Sequence, residues 1–310
     1  MRLNNVMTFF SDRLIDAVQR RGNPCVVGLD PRIDLMPGFI KSGRGPFTRD
    51  TARSIISDFH ELVLDSIAGL VPLVKPQLAF FEQYGIGGLE AYENTVQMAR
   101  ERGILVIADP KRNDIASTAE AYANAFLTDT AFYADSMTVT PYLGRDSLTP
   151  FTEACAKHGK GLFVVLKTSN PGSKDFQDQP LAATGKPLYE SIASVIDDLG
   201  KSLVGASGYS SIGAVVGATF PEEGRRLREL MPQAIILVPG YGAQGGDARS
   251  AAACFHESGL GAVVSSSRGI TYKYSSPGID RKAFTETVRE NALRMVDEIV
   301  KATSAVAPAR

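Results

Sequence analysis

Short runs of apolar residues recur along the chain, and each run is followed by a segment whose apolar positions have helical spacing. A continuous apolar run of this kind is typical of a strand that is buried on both faces, as in a parallel sheet covered by helices. The pattern therefore predicts eight strand and helix pairs. The strands are expected to begin near residues 25, 71, 104, 136, 162, 213, 234 and 262.

Helical periodicity fills the intervals between these strands. An amphipathic helix over residues 5 to 20, with Phe10 and Leu14 on its apolar face, is expected to cover one end of the core. Residues 31 to 50 are rich in Pro, Gly and charge and predict a long irregular connection, and the end of the chain, about 303–310, predicts a frayed tail. Further helices are predicted near residues 51–70, 88–101, 117–131, 146–158, 187–204, 221–230, 247–258 and 281–302.

Eight strand and helix pairs in a chain of 310 residues favour a closed (β/α)8 TIM barrel, formed by residues 1–310 as a single domain. In a closed barrel every strand has two neighbours, so no strand edge is left exposed. A doubly wound open sheet is the structural alternative. It is disfavoured because no GxGxxG pattern follows the first strand, where a dinucleotide-binding sheet needs it.

Charge and cysteine content exclude several classes of protein. The chain has 33 basic and 34 acidic residues and no basic stripe, so we expect neither a nucleic-acid partner nor a membrane-surface partner. Cys25, Cys155 and Cys254 lie far apart, which disfavours structural zinc and a disulfide framework and fits a reducing compartment. Because no apolar run has the length of a signal peptide or a membrane span, a cytoplasmic location is expected.

A charged cluster follows the third predicted strand. The apolar run ends in Asp109, and Lys111 and Asp114 come shortly after it. If the extended conformation continues through Pro110, the side chains of Asp109 and Lys111 lie on one face at the carboxyl end of the strand, where α/β proteins do their chemistry. The alternative is an ordinary solvated strand end, with Ser117-x-x-Glu120 as a capping box for the next helix.

Other predicted strands also end in polar side chains, which the barrel would bring to the same mouth. The loop Gly240–Gly246 follows the seventh strand and opens a helix, so its backbone N–H groups favour an anion. Arg268 follows the eighth strand and offers a guanidinium fork suited to phosphate. The loops after strands seven and eight are the usual phosphate site of such barrels. The strand-end residues are Asp30, Lys75, Asp109, Lys111, Ser169, Gln244 and Arg268.

These motifs resemble a known family. The segment Asp109-Pro-Lys-Arg-Asn-Asp-Ile-Ala-Ser-Thr118 is similar to the D-x-K-x-x-D-I-x-x-T signature of orotidine 5'-phosphate decarboxylase. Gly28-Leu-Asp30, Val74-Lys75, Pro239–Gly246 and Ser267-Arg-Gly269 follow the order of that family, and the length resembles its longer, bacterial second type. The resemblance implies decarboxylation of orotidine 5'-phosphate to uridine 5'-phosphate, the last step of de novo UMP synthesis, with no metal and no cofactor.

The resemblance also implies the catalytic residues. Lys75, Asp109, Lys111 and Asp114 would form an array of alternating charges, and Lys111 would donate a proton to C6 of the pyrimidine. Asp114 would reach the active site of the partner subunit in a homodimer. A cationic lysine would stabilise the carbanion that forms when carbon dioxide leaves, because the ring cannot delocalise a carbanion that lies in its plane.

The remaining matched residues would bind the substrate. Asp30 and Lys75 would hold ribose hydroxyls, and the loop over residues 170–186 would be a lid. Ser169 would contact the pyrimidine, and Gln244, Gly245 and Arg268 would hold the phosphate. Ile115 and Thr118 would belong to the site shared across the dimer.

Two other functions stay open at this point. A magnesium-dependent sugar-phosphate lyase or isomerase of the same superfamily has a similar Asp-x-Lys-x-x-Asp segment, but it would want a carboxylate where the second strand ends in Lys75. The other alternative is a barrel that binds nucleotides without catalysis, as a sensor or scaffold.

Overall fold

The computed structural model describes residues 8–130, 132–219, 221–242 and 247–304. Its strands are β1 (Cys25–Leu29), β2 (Leu73–Pro76), β3 (Leu105–Arg112), β4 (Ser136–Val139), β5 (Gly161–Lys167), β6 (Ser210–Val216), β7 (Ala234–Val238) and β8 (Ala262–Ser266). Neighbouring strands pair in parallel in sequence order, and β8 pairs with β1 to close the barrel. The predicted (β/α)8 TIM barrel is confirmed, and the open sheet is wrong.

Helices follow the strands around the barrel. Residues 31–50, predicted to be irregular, contain a 3-10 turn (Ile33–Leu35) and a short helix, and the start of the predicted frayed tail is still helical as far as Ser304. Residues 305–310 of that tail lie outside the described residues. The helices are α1 (Phe10–Arg21), α2 (Gly38–Lys41), α3 (Arg49–Ile67), α4 (Leu78–Glu82), α5 (Gly85–Glu101), α6 (Ala116–Leu127), α7 (Thr149–His158), α8 (Leu188–Gly200), α9 (Pro221–Leu230), α10 (Ala248–Ala252), α11 (Arg268–Thr271) and α12 (Arg281–Ser304).

Two hydrophobic clusters stabilise the barrel. Strand residues that point outward pack against the helices, as Val27 and Val106 do in the cluster that includes Ile56 of α3. Strand residues that point inward form a second cluster with the apolar face of α1. In the described part of the chain, no helix has the length and apolar character that crossing a membrane requires.

Helix α1 closes the amino-terminal end of the barrel, as its apolar face predicts. Phe10 is 1% exposed, and its ring meets that of Phe163 edge to face with 6.1 Å between the ring centroids. Gly161 at the start of β5 makes room for this ring, because a Cβ at that position would lie 2.1 Å from Phe10. The interior of the barrel is therefore filled at this end.

The inward-facing positions change from apolar to polar along the strands. Side chains of a strand alternate between its two faces, so every second residue points into the barrel. On three strands the inward position near the amino end is apolar and joins the inner cluster, whereas an inward position at the carboxyl end is polar and lines an open cavity. Along β2, β3 and β5 these inward pairs are Leu73 and Lys75, Ile107 and Asp109, and Val165 and Lys167.

Candidate active site

A cavity of about 490 Å³ lies at the carboxyl ends of the strands. It collects polar side chains from loops and strand ends that are far apart in sequence. Because the opposite end of the barrel is filled, this mouth is where a ligand has access to the inward-facing polar residues. The predicted site residues that line it are Asp30, Lys75, Asp109, Lys111, Ser169 and Arg268.

The Asp109 carboxylate lies at the centre of an ion-pair network. Its Oδ2 atom is 2.6 Å from Nζ of Lys75, and its Oδ1 atom is 2.6 Å from Nζ of Lys111. The side chains of Lys75 and Asp109 are 10% and 5% exposed, whereas that of Lys111 is 41% exposed. All three residues line the cavity, and Lys111 is the most exposed of them.

Two neutral side chains, neither of them predicted from the sequence, complete the hydrogen bonding of Asp109. Nε2 of Gln77 donates to Oδ2 over 2.9 Å, and Oγ1 of Thr138 donates to Oδ1 over 2.7 Å. With the two lysines, Asp109 accepts from four donors. A carboxylate with this many donors is strongly favoured in its charged form.

Electrostatic interactions keep Asp109 and Lys75 ionised. Burial alone would raise the pKa of Asp109, but the charges and hydrogen bonds of Lys75 and Lys111 hold that pKa far below its usual range. Burial alone would lower the pKa of Lys75, yet the carboxylates of Asp109 and Asp30 together raise it above its usual value. Asp109 is therefore an anion and Lys75 a cation at neutral pH.

The backbone at Lys111 departs from the predicted extended conformation. Lys111 has φ +48°, which is the left-handed region and costs about 1 kcal/mol for a residue other than glycine. The register between β3 and β4 is irregular between Ala108 and Arg112, as in a β-bulge. The side chains of Asp109 and Lys111 do meet, but a bulge brings them together rather than regular alternation along a strand.

Asp30 is held beside this network by the β8 loop. Its Oδ2 atom accepts a hydrogen bond from Oγ of Ser267, and its backbone carbonyl accepts one from the Tyr272 hydroxyl over 2.9 Å. The same hydroxyl accepts from the backbone N–H of Arg32 over 2.8 Å. Within the described residues, Oδ1 of Asp30 is buried without a hydrogen-bond partner, so it can accept from a ligand.

The structure describes part of the predicted phosphate site. Arg268 lines the cavity at the start of α11, and its side chain is exposed. Gly240 and Gly242 have φ +91° and +76°, a conformation that few other residues adopt without strain. The predicted phosphate ligands Gln244 and Gly245 lie outside the described residues.

The end of β5 contributes both a predicted and an unpredicted residue. Ser169 lines the cavity, and its backbone approaches so closely that a Cβ on Gly217 would lie 3.0 Å from it. Lys167 also lines the cavity; it is 1% exposed and pairs with Asp178 in the segment that was predicted to be a lid. That segment is further tied to β5 by Gln177, whose Oε1 accepts from the N–H of Thr168 over 2.9 Å.

Three other predicted site residues are not part of the lining of this cavity. Asp114, Ile115 and Thr118 do not line it, and Ile115 is 55% exposed. Helix α6 begins after Ile115 without a side-chain cap, so the predicted capping box from Ser117 is wrong. The carboxylate of Asp114 accepts instead from the N–H of Ile115 over 2.8 Å.

Of the residues that were missed, Lys167 had a signal in the sequence and Thr138 did not. Thr138 and Lys167 occupy inward positions at the carboxyl ends of β4 and β5, where apolar residues give way to polar ones. Thr138 is inconspicuous because threonine is a common strand residue on any face. Lys167 ends an apolar run in the same way as Lys75, and this parallel could have indicated it.

The fold and the cavity define a (β/α)8-barrel enzyme whose site is built from ion-paired lysine and aspartate side chains. The chain belongs to the orotidine 5'-phosphate decarboxylase / HUMPS family, whose sequence model matches residues 27–277. This membership confirms the resemblance on which the site residues were predicted.

Individual relatives cover nearly the whole chain. The orotidine 5'-phosphate decarboxylase of Rhodopirellula baltica is 42% identical over 302 residues, which cover 94% of this chain and 99% of that protein. That of Clostridium acetobutylicum is 41% identical over 291 residues, covering 94% of this chain and 98% of the relative. Among solved structures, the OMP decarboxylase of Leishmania donovani is 28% identical with a TM-score of 0.73, covering 95% of this chain and 98% of that one.

Proposed function

We propose that the protein decarboxylates orotidine 5'-phosphate to uridine 5'-phosphate, the last step of de novo UMP synthesis. The observation that carries the proposal is the buried Asp109 carboxylate held between the ammonium groups of Lys75 and Lys111. Loss of carbon dioxide from C6 leaves an electron pair in the plane of the pyrimidine ring, where the π system cannot delocalise it. A fixed cation beside C6 is what stabilises such a carbanion.

Lys111 is the proton donor in this proposal. Lys111 lines the cavity, and the ion pair with the Asp109 carboxylate holds its ammonium group in place. The ammonium stabilises the developing charge at C6 electrostatically and then transfers a proton to that carbon, which gives the C–H bond of the product. Lys75 balances the charge of Asp109 from the buried side, so the carboxylate remains ionised.

Substrate contacts are assigned to the rest of the cavity. Asp30 and Lys75 bind ribose hydroxyls, and the unpartnered Oδ1 atom of Asp30 supports this role. Ser169 contacts the pyrimidine. Arg268 holds the phosphate together with Gln244 and Gly245, and binding energy from this remote group is used to position the reacting carbon.

The proposal includes a homodimer in which Asp114 of one subunit completes the charge array of the other. Asp114 and its neighbours Ile115 and Thr118 do not line their own cavity, which supports a role in a second copy. Ile115 is 55% exposed, and Tyr142 and Leu143 in the loop after the neighbouring strand β4 are 86% and 48% exposed. Exposed apolar side chains of this size are typical of protein interfaces.

A cytoplasmic location is also part of the proposal. The three cysteines are all buried free thiols, as is usual in a reducing compartment. We propose no nucleic-acid partner and no membrane partner, since the net charge of −1 offers neither of them a basic surface.

The magnesium-dependent lyase or isomerase is a weaker candidate. Both oxygens of Asp109 are already in contact with lysine ammonium groups, which a divalent cation would have to displace. Among the described residues, no group of three or more His, Cys, Asp or Glu side chains is arranged to hold a metal ion.

An absorbance assay with orotidine 5'-phosphate, with and without EDTA, tests the proposed function. We expect turnover that EDTA does not change, because the proposed mechanism uses only side chains. Lys111→Ala should reduce kcat by at least about a thousandfold, since it removes both the cation and the proton donor. Lys157→Ala, which removes an exposed lysine on α7, is the matched control and should leave kcat unchanged. Near-normal turnover by K111A, or inhibition by EDTA, would contradict the mechanism.

A further inference from the structure

Thr138 lies opposite the bulge that carries Asp109 and Lys111. Ala108 of β3 pairs with Met137 of β4 and Arg112 pairs with Val139, so residues 109–111 face the single residue Thr138. A bulge of this kind interrupts the ladder of backbone hydrogen bonds, and Pro110 has no N–H to contribute. The N–H of Lys111 donates to the side chain of Thr138 over 3.1 Å.

The direction of both hydrogen bonds of Thr138 is fixed by chemistry. The N–H of Lys111 can only donate, so it uses a lone pair of the Thr138 hydroxyl. The carboxylate of Asp109 can only accept, so the hydroxyl proton points at its Oδ1 atom, 2.7 Å away. The same Oδ1 atom also accepts from Nζ of Lys111 over 2.6 Å. One hydroxyl group thus joins the backbone of Lys111 to the carboxylate that its own ammonium group contacts.

We infer that Thr138 is a positioning residue for the decarboxylation, because its hydroxyl holds both Asp109 and the left-handed backbone of Lys111 in the geometry that directs the Lys111 ammonium group into the cavity. The inference rests on the proposed role of Lys111 as proton donor. Thr138 is 1% exposed and does not line the cavity, so it acts through its neighbours and not on the substrate. Gln77 contacts the other carboxylate oxygen and leaves the Lys111 backbone untouched.

Removing the hydroxyl should disturb the two contacts together. The N–H of Lys111 would lose its acceptor, and the left-handed conformation would lose the hydrogen bond that offsets its strain. The ammonium group would then sample positions away from C6, where it stabilises the carbanion less. The proposed phosphate contacts and the ribose contact of Asp30 would stay in place, because they follow β1, β7 and β8 and make no hydrogen bond to Thr138.

The experiment compares Thr138→Val, which replaces the hydroxyl with a methyl group of similar shape, with Thr138→Ser, which keeps the hydroxyl. For T138V we expect kcat for orotidine 5'-phosphate to fall about 10- to 100-fold, a range typical of residues that orient a catalytic group. We expect KM to change less than about threefold, because the lost interaction acts mainly on the transition state. T138S should retain kcat within about threefold of the original protein, since the hydrogen bonds are preserved.

Thr95→Val is the matched control. Thr95 on α5 is fully buried, and its hydroxyl donates to the carbonyl of Ala91 over 2.7 Å, away from the cavity. T95V should keep kcat unchanged even if its melting temperature falls. A purely structural role of Thr138 predicts the opposite pattern, in which T138V loses melting temperature but the folded enzyme keeps its kcat.

Two results would overturn the inference: T138V with kcat within about twofold of the original protein, or T138S as impaired as T138V at an equal melting temperature. If T138V does not fold, Thr138→Ala replaces it in the comparison with T138S, and the same outcomes apply. Turnover by K111A would contradict the proposed function itself. An inactive K111A beside a fully active T138V would remove only the role of Thr138.

Discussion

At the scale of single residues, the site depends on one carboxylate that is stabilised from all sides. A buried ion is costly unless opposite charges and hydrogen bonds replace its water, and Asp109 obtains both from its four donors. Removing one partner of such a pair typically costs about 3–5 kcal/mol, since the other charge stays buried without compensation. The same arrangement fixes the Lys111 ammonium group before the substrate arrives, so little reorganisation is needed during the reaction.

Arg268→Ala tests the phosphate contact at this scale. We expect kcat/KM for orotidine 5'-phosphate to fall about 100-fold, equivalent to about 2.7 kcal/mol, which is within the range for a hydrogen bond between charged groups. Activity on orotidine, which has no phosphate, should stay unchanged, and steady-state kinetics with both substrates measures the difference. Arg281→Ala, at an exposed position at the start of α12, is the control. An equal loss on both substrates would show that Arg268 acts elsewhere.

At the scale of elements, the sequence predicts the start of every strand within three residues, because short continuous apolar runs that alternate with helical patterns are typical of strands buried on both faces. It predicts less well where a strand deviates from regular geometry. Alternation alone places Asp109 and Lys111 on one face, but the bulge and the left-handed φ of Lys111 depend on the pairing with β4. Such pairing joins distant parts of the chain, so no local pattern reveals it.

The same limit explains the errors at the edges of the site. The capping box from Ser117 fits the sequence motif, but α6 begins at Ala116 and so leaves Ser117 inside the helix. The role of Thr138 depends on which residue of β3 faces it, which only the assembled barrel determines. The charged strand ends Lys75 and Asp109 were predictable because a charge at the end of an apolar run has few structural explanations.

Phe10→Ala tests the contribution of α1 to the barrel. Phe10 is buried against Phe163 at the closed end, so its truncation should leave a cavity and lower the free energy of unfolding by about 3–5 kcal/mol. Chemical denaturation followed by circular dichroism measures this change. Phe176→Ala is the matched control, because Phe176 is 72% exposed and its removal should change stability by less than about 0.5 kcal/mol. Equal stabilities of the two variants would show that α1 does not support the barrel.

At the scale of the whole molecule, the barrel separates its stability from its chemistry. The amino-terminal end is packed with apolar side chains from α1 and the strands, and the carboxyl end carries the charged cavity. This arrangement lets strained and charged groups gather at one mouth while the packed end maintains the fold. In the proposed dimer, Asp114 of one chain extends this mouth into the site of the other.

Mixing inactive subunits tests this shared site. In a heterodimer of Lys111→Ala and Asp114→Ala subunits, one of the two sites would contain an intact Lys111 and an intact Asp114 from its partner. We therefore expect such heterodimers to recover about half of the activity of the original dimer, while each variant alone is inactive. Purification through two different affinity tags isolates the heterodimer. An inactive heterodimer would mean that Asp114 serves its own subunit or none.

The plug formed by α1 has a consequence for the order of events in a catalytic cycle. The amino-terminal end is filled around Phe10 and Phe163, so the described part of the barrel is open only at its carboxyl end. In the proposed reaction, substrate, nucleotide product and carbon dioxide all pass through this opening. In the proposed reaction, a new substrate molecule can enter this opening only after the previous nucleotide has left it. Because substrate and product share one opening, the release of the nucleotide product can limit kcat as well as the chemical step does.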